Sequence, residues 1–206
     1  MNATTAFVHR YIPGTSGRTL LLLHGTGGSE SDLLTVGRTL DPVAALLSPR
    51  GKVLENGMPR FFRRLAEGVF DEKDLILRTH ELADFIGAMS EQYGLDQKQL
   101  IAVGYSNGAN IAASTLLLRP GTLGGAVLLR AMVPLEPKTP PKLDGTPVLV
   151  VSGKSDPIVP LANAKRLAAM LSEAGAEVTV SFEEASHSLT DKSVQIAKNW
   201  LEGLKP

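Results

Sequence analysis

Cysteine is absent from the 206 residues. Disulfides, thiolate metal sites and a cysteine nucleophile are therefore excluded, and any covalent nucleophile must be a hydroxyl. Charge of a dominant sign is missing too, since 21 Lys and Arg face 21 Asp and Glu. Nothing electrostatic argues for nucleic acid or an anionic membrane as a partner, so a small neutral or weakly charged molecule is expected. No apolar run is long enough to span a bilayer, and the first ten residues lack a basic start followed by an apolar core. The expectation is a cytoplasmic protein without a membrane span. The oligomeric state is left open. A hydrophobic content of 43% suffices for one medium-sized core, so a single domain over residues 1–206 is expected.

What is present is an alternation of short apolar runs with amphipathic stretches. Runs at 7–12, 19–23, 43–47, 100–103, 125–129, 147–151 and 178–182 read as strands. Helical periodicity covers a stretch toward Leu40, residues 72–93, the residues after Ser106 through Leu118, and segments 161–174 and 191–204. Ser29 or Ser31 is expected to cap the first helix, and 48–64 to form a long irregular segment. Such alternation implies an α/β fold with a mainly parallel, twisted sheet covered by helices on both faces. Ligand chemistry then lies outside the carboxyl ends of the strands. The connector from Pro134 to Pro147 is too short for a cap domain, so the site should be open.

The apolar run from Leu100 breaks into Gly104-Tyr105-Ser106-Asn107-Gly108 and continues in small, helix-compatible residues. This is strand, sharp turn, helix. A serine at such a turn is strained and exposed at the tip of a sheet, and the flanking glycines lack the β-carbons that would collide there. The N–H groups that follow open a helix whose N-terminal end favours negative charge on a substrate oxygen. A second glycine turn, His24-Gly25-Thr26-Gly27-Gly28, follows run 19–23 and can point N–H groups into a pocket. It lacks the Lys-Ser/Thr ending of a phosphate-cradling loop.

A serine hydroxyl needs a base, and the base a carboxylate. His9 lies near the first strand and His80 within a helix, while His24 suits a scaffold role before the glycine turn. His187 follows the last strand, Asp156 a buried strand and a glycine, and Ser106 a middle strand. That is the chain order of the α/β-hydrolase triad. Asp144 precedes its strand and so belongs at the opposite edge, and Asp191 suits the first turn of the terminal helix.

Over nearly its whole length the sequence resembles the phospholipase/carboxylesterase group of α/β-hydrolases. The resemblance rests on Leu23-His24-Gly25-Thr26-Gly27, Asn56-Gly57-Met58-Pro59-Arg60-Phe61-Phe62, the Ser106 turn, Gly153-Lys154-Ser155-Asp156-Pro157-Ile158-Val159-Pro160 and Ser186-His187. It implies Ser106 as nucleophile, Asp156 as orienting acid, His187 as general base, and the N–H groups of Thr26 and Asn107 as oxyanion hole. The group's thioesterases often carry Asp at Gly28, Gln at Asn107 and Ser-Gly at Arg130-Ala131, departures that weigh against action on lipidated proteins.

The expected chemistry is hydrolysis of small to medium carboxylic esters through an acyl-enzyme, with no metal or organic cofactor. Alternatives are a thioesterase or acyltransferase on the same residues, or a ligand-binding protein that keeps the fold without catalysis. Met58, Phe61, Phe62 and Met132 are candidates to line the acyl site, with one of the two phenylalanines facing substrate. Arg50, Arg60, Arg63 and Arg64 beside them could favour an acidic leaving group.

Overall fold

Successive residues of an extended strand face opposite sides of the sheet, so an all-apolar strand must have a covered face on each side. In the computed structural model, which describes residues 7–204, Leu21 and Leu23 enter one buried cluster while Leu20 and Leu22 enter another. The chain opens with β1 (His9–Ile12), β2 (Thr19–Leu23), α1 (Leu34–Leu40) and β3 (Ala45–Pro49). Two small ribbons follow, β4 (Val53–Glu55) with β5 (Met58–Arg60), and β6 (Arg64–Ala66) with β7 (Val69–Phe70). Then come α2 (Glu72–Tyr93), β8 (Leu100–Tyr105), α3 (Asn107–Leu118), β9 (Gly125–Leu129), β10 (Pro147–Gly153), α4 (Leu161–Glu173), β11 (Glu177–Glu183) and α5 (Asp191–Gly203).

Seven strands form one sheet in the order β1-β3-β2-β8-β9-β10-β11, antiparallel only at the β1–β3 pair. Leu75 and Leu82 of α2, Ile111 and Leu116 of α3, and Leu167 and Leu171 of α4 cover one face. Leu40 of α1 with Ala197 and Leu201 of α5 covers the other. This is the α/β-hydrolase fold, with no helix or strand inserted between β9 and β10. After β3 the chain crosses to the far side of β2, so β2 and β8 flank the switch of direction and their carboxyl ends meet there, Leu23 opposite Gly104. A crevice at such a point is where open α/β sheets hold ligands. Among the described residues no helix is long and apolar enough to cross a membrane.

The sequence reading of α2 holds at both ends, because Asp71 caps its first turn and Gly94 ends it in a left-handed conformation. The expected serine cap of α1 does not form. The helix starts at Leu34 without a side-chain cap, and Ser29 instead donates to Asp32 Oδ1 at 2.5 Å within a preceding run of turns. The segment 48–64 is not irregular either. Asn56 and Gly57 both have positive φ (51° and 81°), which closes β4 onto β5 in the way a tight hairpin requires. β3 begins two residues later than expected, since Val43 is half-exposed and lies before the sheet.

Candidate active site

Ser106 sits between β8 and α3 with φ 52° and ψ −114°, a conformation that costs a residue with a β-carbon free energy. The turn is closed by contact. A β-carbon on Gly104 would lie 2.6 Å from Ala109 Cα, and one on Gly108 would lie 2.0 Å from the carbonyl oxygen of Leu23. Helix α3 therefore starts directly over the end of β2, and glycine at both positions is a steric requirement.

The structure brings Ser106, His187 and Asp156 together from three separate loops. Ser106 Oγ lies 2.9 Å from His187 Nε2, and His187 Nδ1 lies 2.8 Å from Asp156 Oδ2. The other oxygen, Asp156 Oδ1, accepts the main-chain N–H groups of Ile158 (2.8 Å) and Val159 (3.0 Å). With Asp156 taking the proton of Nδ1, Nε2 is left as the acceptor for the serine hydroxyl. The side chain of Asp156 is fully buried. Asp144 lies before β10, away from this edge, and Asp191 occupies the first turn of α5.

Three histidines lie elsewhere. His9 bonds Phe7 O and the Tyr93 hydroxyl, and His80 is exposed on α2. His24 is buried as a scaffold, its Nδ1 donating to Gly25 O (2.7 Å) and its Nε2 accepting from Gly51 N–H (3.0 Å). Burial holds its pKa below the ordinary imidazole value.

Thr26 and Asn107 line the same cleft as Ser106 and His187, a space of about 280 Å³. The N–H of Asn107 is the first of α3, among the helix donors that no intrahelical carbonyl reaches. The glycine turn carrying Thr26 is pinned from the ribbon side. Gly27 N–H donates to Pro59 O at 2.9 Å, and Arg60 Nη1 donates to Thr26 Oγ1 at 2.6 Å.

Met132 and Phe70 line the cleft. Phe61 and Phe62 do not, contrary to expectation. Both are buried in the core, Phe62 packing edge-on against Phe70 and Phe61 against the His24 ring. Met58 is exposed beside Gly27, outside the cleft. The four arginines have carboxylate partners: Arg50 with Glu30, Arg63 with Asp71, and Arg60 and Arg64 both with Glu55. Arg60 and Arg64 stand in the cleft wall, where burial and the second guanidinium lower the Arg60 pKa.

Sequence reasoning missed Arg130, Glu183 and Asn110. Arg130 and Glu183 form a fully buried ion pair beside the histidine loop (2.6 Å), and Asn110 Oδ1 accepts the Met132 N–H at 2.8 Å. The sequence held no signal for the pair, since an arginine that follows an apolar strand enters a loop, where such a side chain is ordinarily solvated.

The family described as phospholipase/carboxylesterase matches residues 14–205. Bacillus subtilis MhqD, named provisionally as a hydrolase, is 50% identical over 192 residues, covering 93% of this chain and 96% of its own. A solved carboxylesterase from Bacillus cereus superposes with a TM-score of 0.94 at 47% identity, covering 98% of this chain and 95% of that one. One from Mesorhizobium loti gives 0.92 at 30% identity, covering 99% and 98%.

Proposed function

The chain belongs to the phospholipase/carboxylesterase family and is a carboxylic-ester hydrolase, and we propose that Ser106, His187 and Asp156 carry its reaction through an acyl-enzyme. What supports this most is the unbroken pair of hydrogen bonds from Ser106 through His187 to Asp156 at the floor of an open cleft. Ser106 Oγ attacks the ester carbonyl as its proton passes to His187 Nε2. The oxyanion that forms accepts the N–H groups of Thr26 and Asn107, which are fixed before the charge appears and need little reorganisation. Collapse expels the alcohol, which takes the proton from Nε2. Water then gives a proton to the same nitrogen, attacks the acyl group, and releases the acid and Ser106. Asp156 keeps the imidazole in the productive tautomer and stabilises its charged form.

The substrates we assign are esters of small to medium acyl groups, held by residues 1–206 acting as a single α/β-hydrolase domain. A cleft of about 280 Å³ with an open mouth offers few walls to a long chain. Ser106→Ala should fold and lose about three orders of magnitude or more of esterase turnover, as expected for a triad nucleophile. Fluorophosphonate labelling checks the same residue directly, and labelling that survives in Ser106→Ala would refute the assignment.

A further inference from the structure

His187 follows β11 and Ser106 follows β8, so in the order β8-β9-β10-β11 the histidine reaches back across three strand spacings, about 14 Å. A loop making that crossing without anchors would hold the ring at no defined distance from the serine. Three consecutive carbonyls of this loop are instead held by side chains from the strands it crosses. Ser186 O accepts Arg130 Nε at 3.0 Å, His187 O accepts the Tyr105 hydroxyl at 3.0 Å, and Ser188 O accepts Arg130 Nη2 at 2.9 Å.

Arg130 directly follows β9, two of the three strand spacings along the crossing, and is completely buried. Its φ of 60° is one of only three positive values among the described non-glycine residues. Its Nη2 also meets Glu183 Oε1 at 2.6 Å and Ser193 Oγ at 3.1 Å, while its Nη1 reaches Val151 O at 3.4 Å. Glu183 stands where the loop leaves β11. Its carboxylate accepts from Thr190 and Ser193, which stand where the loop enters α5. One ion pair thus ties both ends of the loop and its middle to a single point. Burial alone would raise the Glu183 pKa, but the hydrogen bonds from Ser193, Arg130 and Thr190 and the arginine charge outweigh it and keep the carboxyl below its ordinary value.

A buried ion pair is weak evidence for stability, because apolar replacements of similar volume are often neutral or better. What distinguishes this one is the aim of its donors, at the carbonyls on either side of His187. We infer that Arg130, held by Glu183, is the positioning residue that sets the distance of His187 Nε2 from Ser106 Oγ. This rests on the assignment of His187 as the general base.

The double variant Arg130→Met/Glu183→Leu removes both charges together, so neither is left buried and unpaired. It should fold with a melting temperature close to that of the wild type. Its kcat on para-nitrophenyl acetate should fall about 10- to 100-fold with KM within about twofold, as displacement of a reacting group predicts. The low-field proton resonance of the His187–Asp156 hydrogen bond should broaden or vanish. Arg130→Lys keeps the charge toward Glu183 but lacks the fork that spans Ser186 and Ser188, and should show the same loss of kcat in a folded protein. Wild-type kcat in either folded variant overturns the inference. Failure of both to fold overturns it as well, since Arg130 would then be a residue of the core. His187→Ala, measured in parallel, separates the two assignments. Activity in His187→Ala refutes the triad itself, whereas an inactive His187→Ala beside unimpaired Arg130 variants refutes only the positioning role.

Discussion

Thr26 lines the cleft, and its hydroxyl accepts a hydrogen bond from Arg60. If the N–H is the oxyanion donor, Thr26→Ala should lose less than about tenfold in kcat, and Thr26→Pro about two to three orders of magnitude with the fold retained. Equal losses in two folded variants would point to the hydroxyl instead. His24 makes a different kind of contribution. Its neutral ring bridges Gly25 and Gly51, and burial keeps its pKa below 6.5. The unfolded chain therefore binds more protons than the folded one between about 6.5 and the lower folded value, and stability is lost as pH falls through that window. Urea unfolding from about pH 8 down to about pH 5 should show a decline that is shallower in His24→Gln. Parallel slopes would remove His24 as its source.

Among the elements, α3 and β2 make the tightest approach in the site. Gly108→Ala would drive a methyl group into the Leu23 carbonyl and should lower stability by about 3 kcal/mol or more, or abolish folding. Gly57→Ala is the control, with a positive φ of 81° but nothing near the added carbon, and should cost about 1 kcal/mol. Thermal melts compare the two, and equal small shifts would mean that α3 and β2 separate more easily than their packing implies. Legibility varied with element length. The 22-residue α2 shows several turns of periodicity and has both a cap and a terminating glycine in its sequence. Ribbons of two or three residues a strand are too short for alternation to register, although Asn56-Gly57 was a turn signal in view.

At the scale of the whole molecule, substrate size is decided by which side chains the packed layers leave in the cleft. Phe61 and Phe62 belong to the core, so Phe61→Ala and Phe62→Ala should each lower stability by about 3–5 kcal/mol without altering preference for acyl length. Met132 lines the cleft, and Met132→Ala should move the optimum toward longer chains. The check is kcat/KM against acyl length for all three and the wild type, which should favour acetyl to butyryl esters. Each methylene left unburied forgoes about 0.8 kcal/mol of binding. A steady rise toward palmitoyl esters in the wild type would refute a short open site.

The sequence by itself determined the strand-turn-helix at Ser106, the glycines it needs, the lack of any thiol alternative, and the chain order of serine, aspartate and histidine. These are local matters, because a sharp turn is decided by the backbone and β-carbons of residues a few positions apart. Only the tertiary structure decided that β2 lies beside β8, which brings Thr26 to Ser106, and that Phe61 and Phe62 turn inward. It alone joined Arg130 to Glu183, 53 residues away. Strand order and side-chain facing come from all elements competing to bury their apolar faces together, and no short stretch of chain carries that outcome.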